Sequence, residues 1–328
     1  MKLASLKSGR DGKLIVVSRD LSLGASAEDL APTMQSALDN WENIEQDLEV
    51  IYRALNDNRH PRSFAFDINA LDAPLPRSYQ YLDGACYISH IRRNRQARGD
   101  KLPEDILNAP LIYQGISHGF GAWNAPITGQ KEEDLIDFEA EIAAITGKVR
   151  RGVSSEKASQ DIRLFCLLQD TSLRRLVAPE LKRTFGFLTS KPESFLGPVA
   201  LTPDELGGLW DGEMVHGRMK IHVRDSQIGE IDTGIDSPFS YGDVIAHAAK
   251  TRNFEAGTII ALGTVSNESA DEDWSVGCGC IGEYRALEII KKGEAKLEFL
   301  KKGDKFRLEL FDYDGNTVMG AIEQVVEK

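Results

Sequence analysis

Three acidic residues alternate with apolar ones in the segment DFEAEIAAI, residues 137–145. Successive side chains of a β-strand point to opposite faces, so this pattern predicts Asp137, Glu139 and Glu141 on one face. Carboxylates on one face repel each other, and each loses favourable hydration if it is buried. Two arrangements remove that penalty: an edge strand whose acidic face lies in water, or a cleft in which a hard divalent cation binds the carboxylate oxygens.

Asp170 is a candidate for a third oxygen ligand of the same ion. It ends the apolar run LFCLLQD, and the following residues, TSLRRL, have a helical pattern. An acid at the end of a strand, where the chain turns, is well placed to point into a cleft. In a second interpretation it is a helix cap, a role that Thr171 or Ser172 could also fill. The residues alone leave both interpretations open.

Lys191 lies in the segment GFLTSKPESFLGPVAL, whose glycine, proline and serine content predicts a loop. A single lysine in a loop is ordinarily a surface residue. Beside a metal ion, its ammonium group would instead be a fixed positive charge that stabilises a developing oxyanion.

The segments around these residues predict many short strands and fewer helices. This pattern favours an α+β protein with a sheet-rich core over a doubly wound sheet. The run FRLELFDYDGNTVMGAIEQV predicts a hairpin with DYDGN as its turn. Neither a G-x-G-x-x-G nor a G-x-x-x-x-G-K-[ST] phosphate loop occurs in the sequence.

Residues 1–78 are predicted to form a small N-terminal α+β domain. They open with the hairpin pattern KLASLKSGRDGKLIVVSRD, and residues 56–78 are irregular and contain prolines, which is typical of a linker. Between these segments, apolar residues recur at helical spacings of three and four: Leu38, Trp41, Ile44, Leu48, Ile51 and Leu55. The remaining residues, 79–328, are predicted to form the larger domain.

The composition excludes several classes of protein. The chain has 51 acidic and 39 basic residues and a formal charge of −12, without the basic stripe that a nucleic-acid partner requires. No apolar run approaches the roughly 20 residues that cross a bilayer, and the N-terminal residues lack the apolar core of a signal peptide. The four cysteines are too few for a disulfide scaffold, so we expect reduced thiols in a cytoplasmic protein that has no membrane partner.

Together, the motifs resemble the fumarylacetoacetate hydrolase family over residues 75–325. Glu139-x-Glu141, QDTSLR with Asp170 and SKPESFLGP with Lys191 are similar, in this order, to the family's E-x-E strand, acidic stretch and lysine loop. The segments GTIIALGTVSN, CIGEYRALE and LPRSYQYLDGACYISHIRRNRQARGDKLPED resemble further parts of the family, the last of them a bacterial branch. The resemblance implies a mixed β-roll catalytic domain, often preceded by a small N-terminal domain, and a homodimer.

The resemblance also implies roles for the motif residues. Glu139, Glu141 and Asp170 would hold one divalent cation, Mg²⁺ or Ca²⁺, with Mn²⁺ as a further candidate. Lys191 would stabilise enolate or alkoxide charge. Arg174 and Thr264 would contact the substrate. Glu283 would orient a base or a water molecule.

Two positions depart from the family pattern. Family hydrolases place a metal-binding aspartate and a base histidine upstream of the E-x-E strand, and residues 113–141 contain no matching aspartate. His118 lies in the segment SHGF, where related bacterial sequences have S-D-x-F, so it would be the base, a metal ligand or a loop residue without a role. Imidazole accepts protons near pH 7 and suits zinc or manganese better than magnesium. A substrate-binding glutamine of the family is replaced near Val177.

The implied reaction is metal-dependent hydrolysis of a carbon–carbon bond in a β-diketo acid. Fumarylacetoacetate, which would yield fumarate and acetoacetate in the degradation of tyrosine and other aromatic compounds, is the family default. Alternatives with the same carboxylates are acylpyruvate hydrolysis, oxaloacetate decarboxylation, and isomerisation or hydration of a 2-keto acid. A binding or scaffold protein with little catalysis is an alternative of a different class, favoured by the changed SHGF segment.

Overall fold

The computed structural model describes residues 1–327 and has the predicted mixed, sheet-rich α+β fold. The strands are β1 (Lys2–Leu6), β2 (Lys13–Val17), β3 (Leu23–Ser26), β4 (Phe64–Ala65), β5 (Tyr81–Gly84), β6 (Ile112–Gln114), β7 (Ile136–Thr146), β8 (Ile162–Leu173), β9 (Ser194–Leu196), β10 (Ala200–Leu201), β11 (Arg218–Val223), β12 (Ser226–Asp232), β13 (Ile259–Ala261), β14 (Lys305–Phe311) and β15 (Thr317–Val325). The α-helices are α1 (Met34–Asp39), α2 (Trp41–Asn56), α3 (Ile88–Ala97), α4 (Ser155–Gln160), α5 (Arg174–Arg183), α6 (Tyr241–Ala248) and α7 (Ile281–Lys292).

Two sheets organise residues 1–327. The larger one has the strand order β4-β3-β2-β1-β10-β8-β7-β13-β5-β6, and β9 pairs with β8. Strands β5 and β13 run parallel, while the other neighbours in this sheet are antiparallel. The smaller sheet has the order β12-β11-β14-β15 and includes the predicted C-terminal hairpin. The two long central strands, β7 and β8, carry most of the acidic residues singled out from the sequence.

The N-terminal segment contains the predicted hairpin, because β1 and β2 pair antiparallel. The predicted helical stretch is divided into α1 and α2 at Asn40. The side chain of Thr33 caps α1, and α2 buries the apolar face that the sequence predicts. Strand β1 also pairs with β10, with Lys2 opposite Leu201, so the N-terminal hairpin continues the larger sheet.

Strand β7 is buried along its whole length. On its apolar face, the ring of Phe138 stacks on Phe306 of β14 with a centroid distance of 4.5 Å, which packs this face against the smaller sheet. On its acidic face, Asp137 and Glu141 are fully buried, and Glu139 is only 6% exposed. An acidic face in water is therefore excluded, and other charges must offset the buried carboxylates.

Strand β8 continues through Asp170 and ends at Leu173, so the predicted turn at Asp170 is wrong. The ladder between β7 and β8 continues to the pair Ile136 and Leu173. This pairing provides hydrogen-bond partners for backbone N–H and C=O groups that a turn would leave without them. Helix α5 follows without a side-chain cap, so the predicted cap by Thr171 or Ser172 is also wrong.

Each helix within residues 1–327 is too short or too polar to cross a membrane. All four cysteines are buried and unpaired thiols, as expected from their number and spacing.

Candidate active site

A cluster of three buried carboxylates lies where β5 and β7 approach each other. One oxygen each from Asp83, Glu139 and Glu141 lies within 4.8 Å of the other two. The strand register explains this arrangement, since β13 lies between β5 and β7 and pairs with both of them. Strand β13 ends at Ala261, opposite Asp83, so the space beyond its end is open to side chains from both neighbours.

Gly263, in the segment that follows β13, makes this close approach feasible. Its φ of +91° is unfavourable for residues with a side chain, and a Cβ atom there would lie 2.2 Å from the carbonyl oxygen of Gly84. Only glycine therefore allows this segment to lie against β5 directly after Asp83.

The donor set in this cluster fits a hard divalent cation. Both oxygens of Glu141 and one oxygen of Asp83 are buried and have no hydrogen-bond partner within residues 1–327. Buried polar atoms without a partner carry a large desolvation penalty. Carboxylate oxygens are the ligands that Mg²⁺, Ca²⁺ and Mn²⁺ prefer, so a bound cation would remove that penalty.

The protonation behaviour of the cluster agrees with this interpretation. Burial, followed by repulsion from Asp170, raises the pKa of Asp83 to about 7. Burial, followed by repulsion from Asp83 and Glu139, raises the pKa of Glu141 well above its ordinary value. Without a cation these two groups bind protons more tightly than ordinary carboxyl groups do, and a bound cation would favour their ionised forms.

Lys191 joins Glu139 to Asp170. These two acids are direct register partners on β7 and β8, and the ammonium nitrogen lies 2.6 Å from a carboxylate oxygen of each. Asp170 also accepts hydrogen bonds from the hydroxyls of Tyr113, at 2.5 Å, and Ser194, at 2.7 Å. The structure thus brings Asp170 to the site, beside Lys191.

Arg174, the first residue of α5, is the second cation at the site. Its Nε donates to Asp137 at 2.7 Å, and its Nη1 lies 2.8 Å from Glu139. Burial alone would raise the pKa of Glu139, but attraction to Lys191 and Arg174 holds it below its ordinary value. Five buried acids therefore face two cations here, and once all five are ionised they leave negative charge for a divalent ion to offset.

His90 and Glu283 form a second group of reactive side chains. Nδ1 of His90, in the first turn of α3, lies 2.8 Å from Oε2 of Glu283, in the first turn of α7. The amide of Asn94 lies 3.2 Å from Nε2 of the same ring. When Glu283 is ionised, Nδ1 carries the proton and donates it, which leaves Nε2 as the basic nitrogen.

The surroundings of Glu283 keep it ionised. Burial alone would raise its pKa, but attraction to His90 and Arg93, together with hydrogen bonds from His90 and Ser266, holds the pKa below its ordinary value. The guanidinium of Arg93 is fully buried and lies 2.7 Å from Glu283. An ionised carboxylate that orients a histidine is the arrangement that general-base catalysis uses.

The structure distributes the predicted site residues unevenly. Glu139, Glu141, Asp170, Lys191 and Arg174 come together in one buried region. Glu283 lies against His90, and Thr264 is buried immediately after Gly263. His118 lies in an exposed loop, and no hydrogen bond joins its side chain to another residue of the described chain.

Asp83 and His90 belong to the site, but the sequence prediction assigned no role to either. Their signal was nevertheless present, because Asp83 ends a short apolar strand pattern, YLDG, and His90 follows seven residues later. A strand that ends in an acid and leads into a helix with a histidine in its first turn can direct both side chains into one cleft. Neither residue was identified because the metal-binding aspartate was expected in residues 113–141, directly before the E-x-E strand.

The chain matches two sequence-family models over nearly its full length. Residues 80–327 match the model described as fumarylacetoacetate (FAA) hydrolase C-terminal, and residues 1–77 match fumarylacetoacetase N-terminal domain 2. Among curated proteins, the oxaloacetate tautomerase YisK of Bacillus subtilis is 24% identical over 256 residues, which cover 76% of this chain and 72% of the tautomerase.

Solved structures share the fold over the whole chain. Fumarylacetoacetate hydrolase from Exiguobacterium antarcticum is 16% identical, with a TM-score of 0.67 and coverage of 100% of this chain and 99% of that protein. Maleylpyruvate hydrolase from Sphingobium sp. SYK-6, solved with manganese(II) and pyruvate, is 17% identical, with a TM-score of 0.64 and full coverage of both chains.

Proposed function

Since this chain belongs to the fumarylacetoacetate hydrolase family, we propose that it is a divalent-metal-dependent hydrolase of a carbon–carbon bond in a β-diketo acid. Fumarylacetoacetate is the first substrate to test, which would place the enzyme in the degradation of aromatic compounds. One observation carries the proposal: the buried cluster of Asp83, Glu139 and Glu141 has unpartnered oxygens. Asp83 lies on β5, the strand that leads into the helix of His90.

Asp83, Glu139 and Glu141 would hold the cation, with Asp170 beside them. A bound Mg²⁺, Ca²⁺ or Mn²⁺ would polarise the substrate's keto and enol oxygens and so make the carbonyl carbon more electrophilic. Lys191 and Arg174 add two fixed positive charges beside Glu139, where they would stabilise oxyanion charge and orient a substrate carboxylate.

His90 would act as the general base. Its Nε2 removes a proton from water, and the resulting hydroxide attacks the substrate carbonyl carbon. When the adjacent carbon–carbon bond breaks, its electron pair leaves with the fragment that can delocalise it as an enolate. That fragment then takes up the proton held by His90. Glu283 keeps Nδ1–H of the ring directed toward itself and stabilises the imidazolium that forms.

A second candidate is proton transfer next to the keto group of a 2-keto acid, which is tautomerisation or isomerisation. The burial of the site favours it, because Asp83, Glu139, Asp170 and Lys191 are each at most 6% exposed and the chemistry needs no water. The same His90 would move a proton between carbon and oxygen. The similarity to a tautomerase gives this candidate further support.

Turnover of a substrate panel by purified protein loaded with Mn²⁺ tests both candidates. Loss of the ultraviolet diketone absorbance with formation of two acids supports hydrolysis, whereas interconversion without a change in mass supports tautomerisation. We expect Glu141→Gln to abolish Mn²⁺ binding and turnover, and Glu133→Gln, at an exposed position, to change neither. A protein that binds no divalent ion and turns over no member of the panel would contradict the proposal.

The homodimer implied by the family resemblance and the cytoplasmic location predicted from the cysteines are part of the same proposal. Light scattering in solution tests the dimer, and the mass of a single chain would contradict it.

A further inference from the structure

Asp137, the first acid of the alternating run, has no part in the cation cluster and none in the proposed chemistry. It is nevertheless fully buried, and four N–H groups donate to it. Oδ1 accepts from the backbone amides of Phe138 and Ile281, both at 2.9 Å. Oδ2 accepts from the amide of Gly282 at 2.8 Å and from Nε of Arg174 at 2.7 Å.

Two of these donors are the first two backbone amides of α7. The first amides of a helix lack partners within the helix and carry partial positive charge, so a buried carboxylate is a strong acceptor for them. Residue 283, the next in the chain, is the glutamate that contacts His90. Asp137 therefore fixes the start of the helix whose third residue orients the proposed base.

Gly282 shows how closely this contact is packed. A Cβ atom at residue 282 would lie 3.0 Å from both Oδ2 of Asp137 and Nε of Arg174. The helix can therefore approach β7 this closely because residue 282 has no side chain.

The geometry points to Asp137 as a positioning residue that sets the His90–Glu283 pair relative to the cation-binding carboxylates. It lies on the same strand as Glu139 and Glu141, and its contacts lead to α7. One rigid strand thus controls the placement of both groups that the reaction must bring to one substrate. This inference rests on the proposed function for its catalytic meaning, although the contacts themselves are independent of the substrate.

Asp137→Asn is the sharpest test, because an amide cannot replace this carboxylate in either orientation. Each carboxylate oxygen accepts from two N–H donors, so the NH₂ group of asparagine faces two donors whichever way it is placed. The variant keeps the size and shape of the side chain. Gly282→Ala is the second variant, since it pushes α7 away from β7 without changing any charge.

Three measurements distinguish a positioning role from a general loss of structure: the imidazole ¹⁵N chemical shifts of His90, the Mn²⁺ affinity and steady-state kinetics. The His90→Gln variant assigns the His90 signals. For both variants we expect the Nδ1–H form of His90 to lose population and kcat to fall about 10- to 100-fold, with the Mn²⁺ affinity within about twofold of the wild-type value. Glu141→Gln should give the reverse pattern, a lost Mn²⁺ site and unchanged His90 shifts.

Unchanged His90 shifts in Asp137→Asn would overturn the inference, and so would a loss of Mn²⁺ affinity parallel to the loss of kcat. If Asp137→Asn does not fold, the same readouts on Gly282→Ala decide. If the wild-type protein turns over no diketo acid, the proposed function fails, but displaced His90 shifts with retained Mn²⁺ binding would still support the positioning role.

Discussion

Glu139 on β7 lies directly opposite Asp170 on β8, and one ammonium group, that of Lys191, lies 2.6 Å from an oxygen of each. Two carboxylates so placed in a buried region repel each other strongly unless a positive charge lies between them. Lys191 supplies that charge, and a divalent cation bound at the neighbouring cluster would share the task.

This relationship predicts that Lys191→Met destabilises the metal-free protein. Removing one partner of a buried ionic group leaves uncompensated charge, and we expect a loss of about 3 kcal/mol in the free energy of unfolding. Saturating Mn²⁺ should reduce the loss, because the cation neutralises part of the same charge. Urea denaturation with and without Mn²⁺ measures both values. Lys301→Met, which breaks an exposed ion pair with Glu298, is the matched control and should change stability by less than about 0.5 kcal/mol.

The stability of the metal-free protein should fall as the pH rises from about 4 to 7. The folded-state pKa of Asp83 is about 7 against an ordinary value of 3.8, so the folded state binds more protons than the unfolded state between these values. Stability therefore decreases with pH across this window. Asp83→Asn should flatten the slope, and saturating Mn²⁺ should reverse it, because a cation binds the ionised carboxylates. Thermal unfolding across this pH range checks the prediction, and a flat profile for the metal-free wild type would contradict it.

Comparison of His90→Gln with His118→Gln identifies the general base. Loss of a positioned acid–base group reduces kcat by about 100- to 10,000-fold, and we expect a loss of that size for His90→Gln because His90 contacts Glu283. The exposed position of His118 predicts a much smaller change. Steady-state kinetics on both variants decide, and a larger loss for His118→Gln would transfer the role to that residue.

Glu180 should control the loop that leads to Lys191. Its carboxylate accepts hydrogen bonds from the amides of Leu188, Thr189 and Ser190 and from the hydroxyls of the last two. These bonds hold its pKa at about 2 against burial, so the stability that they contribute is fully present above about pH 4.5 and is lost as the pH falls toward 2.

We therefore expect Glu180→Ala to increase hydrogen exchange of these three loop amides and to lower kcat, since Lys191 follows directly. Lys182→Ala, at an exposed position on the same helix, is the matched control. Unchanged exchange at residues 188–190 in Glu180→Ala would show that the loop is held by other contacts.

The sequence patterns were sufficient to predict the sheet-rich fold and the hairpins at both ends. The family resemblance implied the convergence of Glu139, Glu141, Asp170 and Lys191. Alternation in DFEAEIAAI determines which side chains share a face, and this information is local. The sequence did not show that β8 continues past Asp170, because the length of β8 depends on its pairing with β7.

Asp83 illustrates a second limit. Its place in the cluster depends on β13 lying between β5 and β7 and on the contact between Gly263 and Gly84, which are long-range relationships. His90 reaches Glu283 across 193 residues of the chain for the same reason. Asp137 was recognised as part of the pattern, but its role became apparent only when the start of α7 was seen against it.

The pairing of β1 with β10 has a consequence for any attempt to divide the molecule. Residues 1–78 remain a predicted domain, yet β1 covers β10, which in turn borders the strand that carries Asp170. A fragment that starts at residue 79 would present an uncovered row of amide and carbonyl groups at that border, and such rows recruit other chains. We expect the fragment to aggregate, so that the two halves of this protein are expressed successfully only together.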